Sequence, residues 1–336
     1  MKRLLSLLLT LTLSLSLIAC GSSTSGNQNS TTVSPQTPPA QSTTEATDSD
    51  ALVLSNAILG ENHDFTYSSV PQRVVTLASP ATEMLLALGV EQNIVGYAMQ
   101  ENEIPAQYKA AFDALHCITE DWNVSQEMIL ALEPDFMMFW NGSPNYTYDF
   151  LTTNNISTYT MTSDIDGAKI ASVYDDFTNM GKIFGVEERA AEIISQMRAK
   201  IDPVAEKTAT LSPVSVAYID AYSSEESAFT AGDALVADIF RTAGGANVIS
   251  NTTDPWLNVS WEEIAAADPE WIVIGVYEGV EDADFWKDFL RNHPACSQMR
   301  AVQNENFIVT GLVDLTVGER IADTVGMLAE QFHPEA

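Results

Sequence analysis

The residues that could do chemistry in this 336-residue chain are few, and their spacing excludes most reactions. Its four histidines, His63, His116, His293 and His333, lie far apart, so no cluster with Asp or Glu points to a directly bound zinc or manganese ion. Ser, His and Asp are plentiful. Yet there is no G-x-S-x-G elbow, no H-E-x-x-H and no G-x-x-x-x-G-K-[ST], and Gly244-Gly245 does not belong to a G-x-G-x-x-G turn. Composition alone does not make a triad, so an exported hydrolase is the weaker reading. The expectation is no enzyme, no catalytic residue, no metal site and no cofactor. What remains is non-covalent binding, for which the aromatic side chains in polar loops are suited.

One motif occurs twice, and it supplies the elements that would position those loops. Residues 123–135, NVSQEMILALEPD, return 135 positions later as NVSWEEIAAADPE, with seven of thirteen positions identical. In each copy a Ser able to cap a helix precedes an acidic first turn, an apolar stripe and a Pro that stops the helix. Each copy then enters an apolar strand, 136–140 or 271–276. Two copies this far apart are too few for a solenoid and imply two similar lobes with a cleft between them.

The first nineteen residues, with Lys2, Arg3 and an apolar run from 4 to 18, read as a secretory signal. The run is short for a membrane span, is interrupted by Thr and Ser, and has no basic residue on its far side. Leu17-Ile18-Ala19-Cys20 resembles a bacterial lipobox, so Cys20 is expected to be acylated and to anchor the chain at the cell membrane on its extracytoplasmic side. Residues 20–50, rich in Ser, Thr, Gln and Pro, cannot bury enough apolar area to offset their ordering entropy and read as a disordered tether. The 46 acidic against 15 basic residues give a net charge of −31, and loss of Lys2 and Arg3 leaves −33 (13 against 46). Such a surface repels phosphate backbones and anionic headgroups, which argues against nucleic-acid partners. Cys117 and Cys296 fall in different lobes, and sequence leaves open whether they pair.

Residues 73–78 read as a buried strand, 83–89 as a helix ending in Gly, and 93–98 as a second strand, together a βαβ unit. Further helices are expected at 167–184 and 187–208. The second, with Ala191, Ile194, Met197, Ile201 and Val204 in its stripe and Pro203 inside, should be about 33 Å long. Lobe two opens with a strand at 214–220, continues with a helix at 235–242 and a strand at 307–310, and closes with a helix near 318–332.

The segments RVVTLASPATEMLLALG (73–89), ILALEPD (129–135), FTAGDAL (229–235), TAGGANVI (242–249) and NVSWEEI (258–264) resemble the solute-binding proteins of bacterial ABC importers for ferric siderophores, haem and cobalamin. The likeness spans about residues 70 to 334. It implies an α/β fold of two Rossmann-like lobes with mostly parallel sheets, joined by one long helix, with the ligand cleft between them. The expected divisions are 1–19 (signal), 20–50 (tether), 51–163 (first lobe), 164–212 (connecting helices) and 213–336 (second lobe). It also implies that one exposed Glu per lobe, here Glu127 and Glu262, docks on Arg residues of a permease dimer. The simpler role for both is to favour a helix N-terminus. The protein itself is expected to act as a monomer.

Loop position nominates Ser79, Thr82, Tyr97, Gln100, Trp122, Trp140, Asn141 and Tyr146 in lobe one and Tyr222, Phe229, Trp256 and Tyr277 in lobe two as ligand contacts. Trp122 and Trp256 hold similar places in the two copies and are the strongest nominees. The cleft loops carry almost no positive charge, though Arg300 or Arg320 could fold toward them. That disfavours anionic catecholates and favours a neutral or cationic metal chelate, such as a hydroxamate siderophore or a corrinoid. Haem would want an axial His or Tyr. A tethered sensor or scavenger without an importer is the remaining alternative.

Overall fold

The computed structural model describes residues 51–119 and 123–335. The expected signal, the expected lipidation site Cys20, the expected tether and Trp122 lie outside them.

The described chain begins with an antiparallel hairpin, β1 (Leu52–Ile58) and β2 (Glu61–Tyr67), turned by Leu59 and Gly60. Both turn residues have positive φ, 52° and 82°, the backbone hand that matches strand twist in a two-residue turn. The hairpin caps the first sheet through its inward face, Ile58, Phe65 and Tyr67. Asn56 Oδ1 accepts from the Thr160 amide at 2.9 Å.

That first sheet is wholly parallel. Its strands are β3 (Val74–Leu77), β4 (Ile94–Ala98), β5 (Cys117–Thr119), β6 (Phe136–Phe139) and β7 (Ser157–Thr158), in the order β5-β4-β3-β6-β7. All side chains of β3 and β6 are buried because helices cover both faces, which is why these strands read as mostly apolar runs, Thr76 excepted.

The second sheet comprises β8 (Val214–Asp220), β9 (Ala228–Thr230), β10 (Gly245–Asn247), β11 (Leu257–Val259), β12 (Trp271–Val276) and β13 (Phe307–Gly311). Strands β10, β8, β12 and β13 run parallel; β9 joins β8, and β11 joins β9, in the antiparallel sense. Alternation on β8 and β12 divides the core. Tyr218 and Val273 join the large cluster shared with the first sheet, whereas Ile219, Ile272 and Ile274 pack with Trp261 and Trp286 on the other face.

The helix Glu187–Thr208 runs 22 residues, as the sequence expects, and Pro203 lies inside it without ending it. Its buried stripe is Ala190, Ile193, Met197 and Ile201, one residue earlier at the amino-terminal end than the expected Ala191 and Ile194. The neighbouring helix Ile170–Phe184 sets that rotation. A Cβ at Gly181 would lie only 2.7 Å from Ala190 Cβ, so the two helices meet through this pair. The helix expected at 83–89 begins four residues earlier, at Ser79, with Pro80 in its first turn.

The repeated motif folds the same way twice. Ser125 accepts from the Met128 amide at 3.3 Å and Ser260 from the Glu263 amide at 3.1 Å, each capping a short helix. The chain then passes through a left-handed residue directly ahead of proline, Glu133 (φ 46°) or Asp268 (φ 45°). After the proline an acid clasps the backbone at the start of its lobe's central strand: Asp135 accepts from the Gln72 and Arg73 amides at 2.8 and 2.9 Å, and Glu270 from the Ser215 amide at 2.8 Å. Cys117 and Cys296 are both free thiols. Among the described residues no helix is long and apolar enough to cross a membrane.

Ser125→Ala and Ser260→Ala should each cost about 1 kcal/mol of stability, the usual worth of a serine cap. Urea denaturation of the two variants against the parent chain checks this.

Candidate functional site

A cleft of about 690 Å³ opens where the carboxyl ends of the strands of both sheets converge. Trp140 directly follows β6, Asp220 ends β8, Tyr277 directly follows β12 and Leu312 follows β13, while Glu101 stands just beyond β4. This is where open parallel sheets place ligands, because loops leaving the strand ends are the only groups not committed to the core. A larger hollow of about 850 Å³ lies between the helices Glu187–Thr208 and Ile321–Phe332 and the loop that carries Pro105 and Tyr108; no strand residue lines it, and the Lys200–Asp323 ion pair (2.6 Å) sits in its wall. We therefore take the strand-end cleft as the site.

Its walls are aromatic. Phe229 and Trp256 stack with centroids 6.1 Å apart and planes 22° from parallel, and Tyr222, 70% exposed, meets Phe229 edge-on at 5.7 Å. Trp140 faces the same cavity from the first sheet, and Gly142 and Gly279 complete the lining without adding bulk. The Trp256 indole donates to the Ser163 carbonyl at 3.0 Å, tying the two halves at the seam. Asn102 ties them again, donating to the Val276 carbonyl at 2.9 Å and accepting from the Val313 amide at 3.0 Å.

Three carboxylates share the cavity. Glu101, 1% exposed, accepts from the Ser79 amide (2.6 Å) and the Trp140 indole (2.8 Å); burial pushes its pKa up against those bonds. Asp220, also 1% exposed, accepts from the Tyr222 amide (2.8 Å) and from the Tyr218 and Tyr277 hydroxyls (2.8 and 3.1 Å). Burial still raises it to about 6. Asp164 accepts from the Asn141 amide at 2.7 Å, and burial raises it to about 7. The lining contains no Arg, Lys or His. Arg300 is paired with Asp268 and Glu270 at 2.8 and 3.3 Å, beside the amino ends of β8 and β12. Arg320 is held by Glu83 and Asp314 at 2.6 and 3.3 Å. Neither reaches the cleft.

Of the twelve residues nominated from sequence, Trp140, Tyr222, Phe229, Trp256 and Tyr277 line the cavity. Ser79 and Thr82 do not: they belong to a buried helical turn, fully enclosed, where the Ser79 hydroxyl accepts from the Glu101 amide (2.6 Å) and Thr82 shares a hydrogen bond with Thr76 (2.7 Å). Tyr146 is buried among Phe139 and Phe150, its hydroxyl donating to the Val124 carbonyl at 2.9 Å. Tyr97 packs on Phe112, with ring centroids 4.6 Å apart, and Gln100 donates to the Asn102 carbonyl. Asn141 spends its side-chain oxygen on the Leu59 amide (3.0 Å) and reaches the site only through its own amide on Asp164. Glu101, Asp164 and Asp220 are not among the residues nominated from sequence, which are chiefly aromatic side chains in loops. The acidic loop around 101 and the strand-terminal position of Asp220 were the available signals. Glu127 and Glu262 are exposed in the first turns of the two repeated helices.

A family model described as "Periplasmic binding protein" matches residues 74–312. The uncharacterized ABC transporter substrate-binding lipoprotein YvrC of Bacillus subtilis is 23% identical over 279 residues, 82% of this chain and 84% of that one. A vitamin B12-binding protein of Photorhabdus laumondii is 24% identical over 244 residues, covering 72% of this chain and 85% of its own. Among solved structures, a periplasmic binding protein from Veillonella parvula superposes with a TM-score of 0.76 at 27% identity, covering 84% of this chain and 98% of its own.

Two expectations follow from the site. Asp164 and Asp220 hold protons in the folded chain up to about pH 7 and 6, respectively, where the unfolded chain has lost them, so their contribution to stability grows as pH falls from 8 toward 5. The melting temperature should rise over that range, and rise less in Asp164→Asn; parallel slopes for both proteins would contradict the assignment. At Gly275 a Cβ would lie 2.2 Å from the Tyr218 hydroxyl that holds Asp220. Gly275→Ala should therefore cost about 1–3 kcal/mol, measurable by denaturation.

Proposed function

The chain belongs to the periplasmic binding protein family, and from that premise we propose that it is the solute-binding component of an ABC importer, carrying a bulky metal chelate to its permease. The observation that carries this reading is the 690 Å³ cleft at the strand ends of both sheets, walled by aromatic faces and lined by no basic residue. Its size and walls suit a large rigid ligand. Its lack of Arg and Lys disfavours anionic catecholates, whose desolvation would go uncompensated. A neutral or cationic chelate, of hydroxamate or corrinoid type, fits better, and the vitamin B12-binding relative supports that class. The B. subtilis lipoprotein supports an anchored, extracytoplasmic protein, with Cys20 as the acylated residue. No bond is made or broken in this role.

Delivery is assigned to Glu127 and Glu262. They occupy equivalent positions in the two copies of one capped helix and are both exposed, so a permease dimer with two equivalent cationic sites would meet one on each lobe. The divisions at 51–163, 164–212 and 213–336 then correspond to two gripping lobes and the helices that join them, acting as a monomer.

Calorimetric titration of the full chain in detergent against ferric hydroxamates, ferric catecholates, haem and cobalamins tests the reading; binding of none would end it. Trp256→Ala should weaken the best ligand by roughly tenfold or more. The double change Glu127→Ala with Glu262→Ala should leave affinity unaltered while abolishing uptake in cells, and normal uptake would remove the docking assignment.

A further inference from the structure

We propose that the cleft selects ligands bearing a positive charge, and that Glu101, Asp164 and Asp220 are the residues that set this specificity. The inference rests on the chelate-binding reading above and narrows it.

A buried carboxylate is costly unless something compensates for its lost hydration. Elsewhere this chain compensates with a cation: buried Glu83 receives Arg320 through two bonds of 2.6 and 2.7 Å. The three cleft carboxylates receive none. Glu101 faces the Ser79 amide and the Trp140 indole, Asp220 faces the Tyr222 amide and two tyrosine hydroxyls, and Asp164 faces the Asn141 amide. Neutral donors alone do not mark a ligand site, since buried Asp176 is held in the same manner by Tyr159 and the Thr162 amide. What separates the three is that all of them open on one cavity, from three distant points of the chain.

The donors hold the carboxylates in place without saturating them. An ionised carboxylate offers about four acceptor positions. Asp164 uses one with the described residues and Asp220 three; Glu101 takes the Ser79 amide and the Trp140 indole, and the Ser79 hydroxyl and its own amide also favour its ionised form. In their ionised form the open positions repel a ligand oxygen that carries no hydrogen; they call for donors, and best for charged ones. The aromatic walls act in the same direction, because a cation over a Trp or Tyr face is attracted by the ring quadrupole. Among the described residues no group of His, Cys, Asp and Glu is placed to hold a bare metal ion, so the positive charge is sought on the chelate itself. The other titratable side chains in contact with these acids are Tyr218 and Tyr277, both neutral near pH 7, and no basic group opposes an incoming cation. Burial lifts all three carboxyl pKa values, so a bound cation would draw them down and expel protons.

Matched probes that share shape but differ in charge test this on the full-length chain in detergent. One pair is a linear ferric trihydroxamate with a pendant ammonium and its N-acetylated form; the other is aquocobalamin and cyanocobalamin. The first pair places the charge on an organic arm and the second at the metal centre, so the pair that discriminates identifies the source. In at least one pair the cationic member should bind roughly tenfold tighter or more, with a heat of binding that varies with buffer ionisation enthalpy because protons leave. Asp164→Asn should lower the cationic-to-neutral preference, and Asp164→Asn with Asp220→Asn should bring it close to one. Equal affinities within both pairs, tighter binding of the neutral members, or an undiminished preference in the double variant would overturn the inference and leave the chelate-binding role standing. Failure of every probe to bind would overturn that role, and the inference with it.

Discussion

Strand polarity is the constraint on which the rest depends. In the first sheet the order β5-β4-β3-β6-β7 reverses between β3 and β6, and in the second the parallel strands reverse between β8 and β12. At such a switch point the loops leaving neighbouring strands diverge and open a crevice. The first crevice holds Trp140, which follows β6 and donates to Glu101; Glu101 is in turn held by Ser79, which follows β3. The second holds Asp220 at the end of β8, bonded to Tyr277 just after β12. Each sheet thus delivers a carboxylate and aromatic faces to its own switch point, and the fold turns the two points toward one cavity.

The opposite ends of the strands are fastened by the repeat. Asp135 and Glu270 each follow a left-handed residue and a proline, and each takes backbone donors at the start of its lobe's central strand. Arg73 and Arg300 reinforce the same corner, donating to the carbonyls of Leu132 and Glu133 in one lobe and of Asp268 in the other. These exposed bonds contribute little energy singly. Their effect is positional: they set where the short capped helix, with Glu127 or Glu262 in its first turn, sits relative to the sheet. A ligand-facing end and an outward acidic end are therefore built from the same strands.

Much of this architecture was legible in residue patterns, for physical reasons that also explain what was not. Parallel strands covered on both faces are mostly apolar, so Val74–Leu77 and Phe136–Phe139 declare themselves. Serine caps are local, and Ser125 and Ser260 perform as their spacing suggests. The hairpin of β1 and β2 was not anticipated because Leu59-Gly60 is a weak turn signal and its strands alternate only partly. Ser79 and Thr82 were misplaced because a helix can start on the residue after a strand, and proximity to a strand end says nothing about which way a small hydroxyl points. The cleft acids are non-local: each is recognisable only once its partners, such as Trp140 for Glu101, have been brought alongside.

The loop after β4 joins two duties that sequence keeps apart. Glu101 lines the cleft with its side chain, while its carbonyl accepts from the Glu278 amide of the second lobe at 2.8 Å. Its neighbour Asn102 spends its whole carboxamide on Val276 and Val313 of that lobe. Two adjacent residues therefore carry a cleft carboxylate and an inter-lobe clasp, and the chain between them is too short to move one without the other. Any ligand that engages Glu101 or its donor Trp140 acts on the clasp as well. In the proposed importer role, these shared bonds would couple occupancy of the cleft to the relative placement of the two lobes.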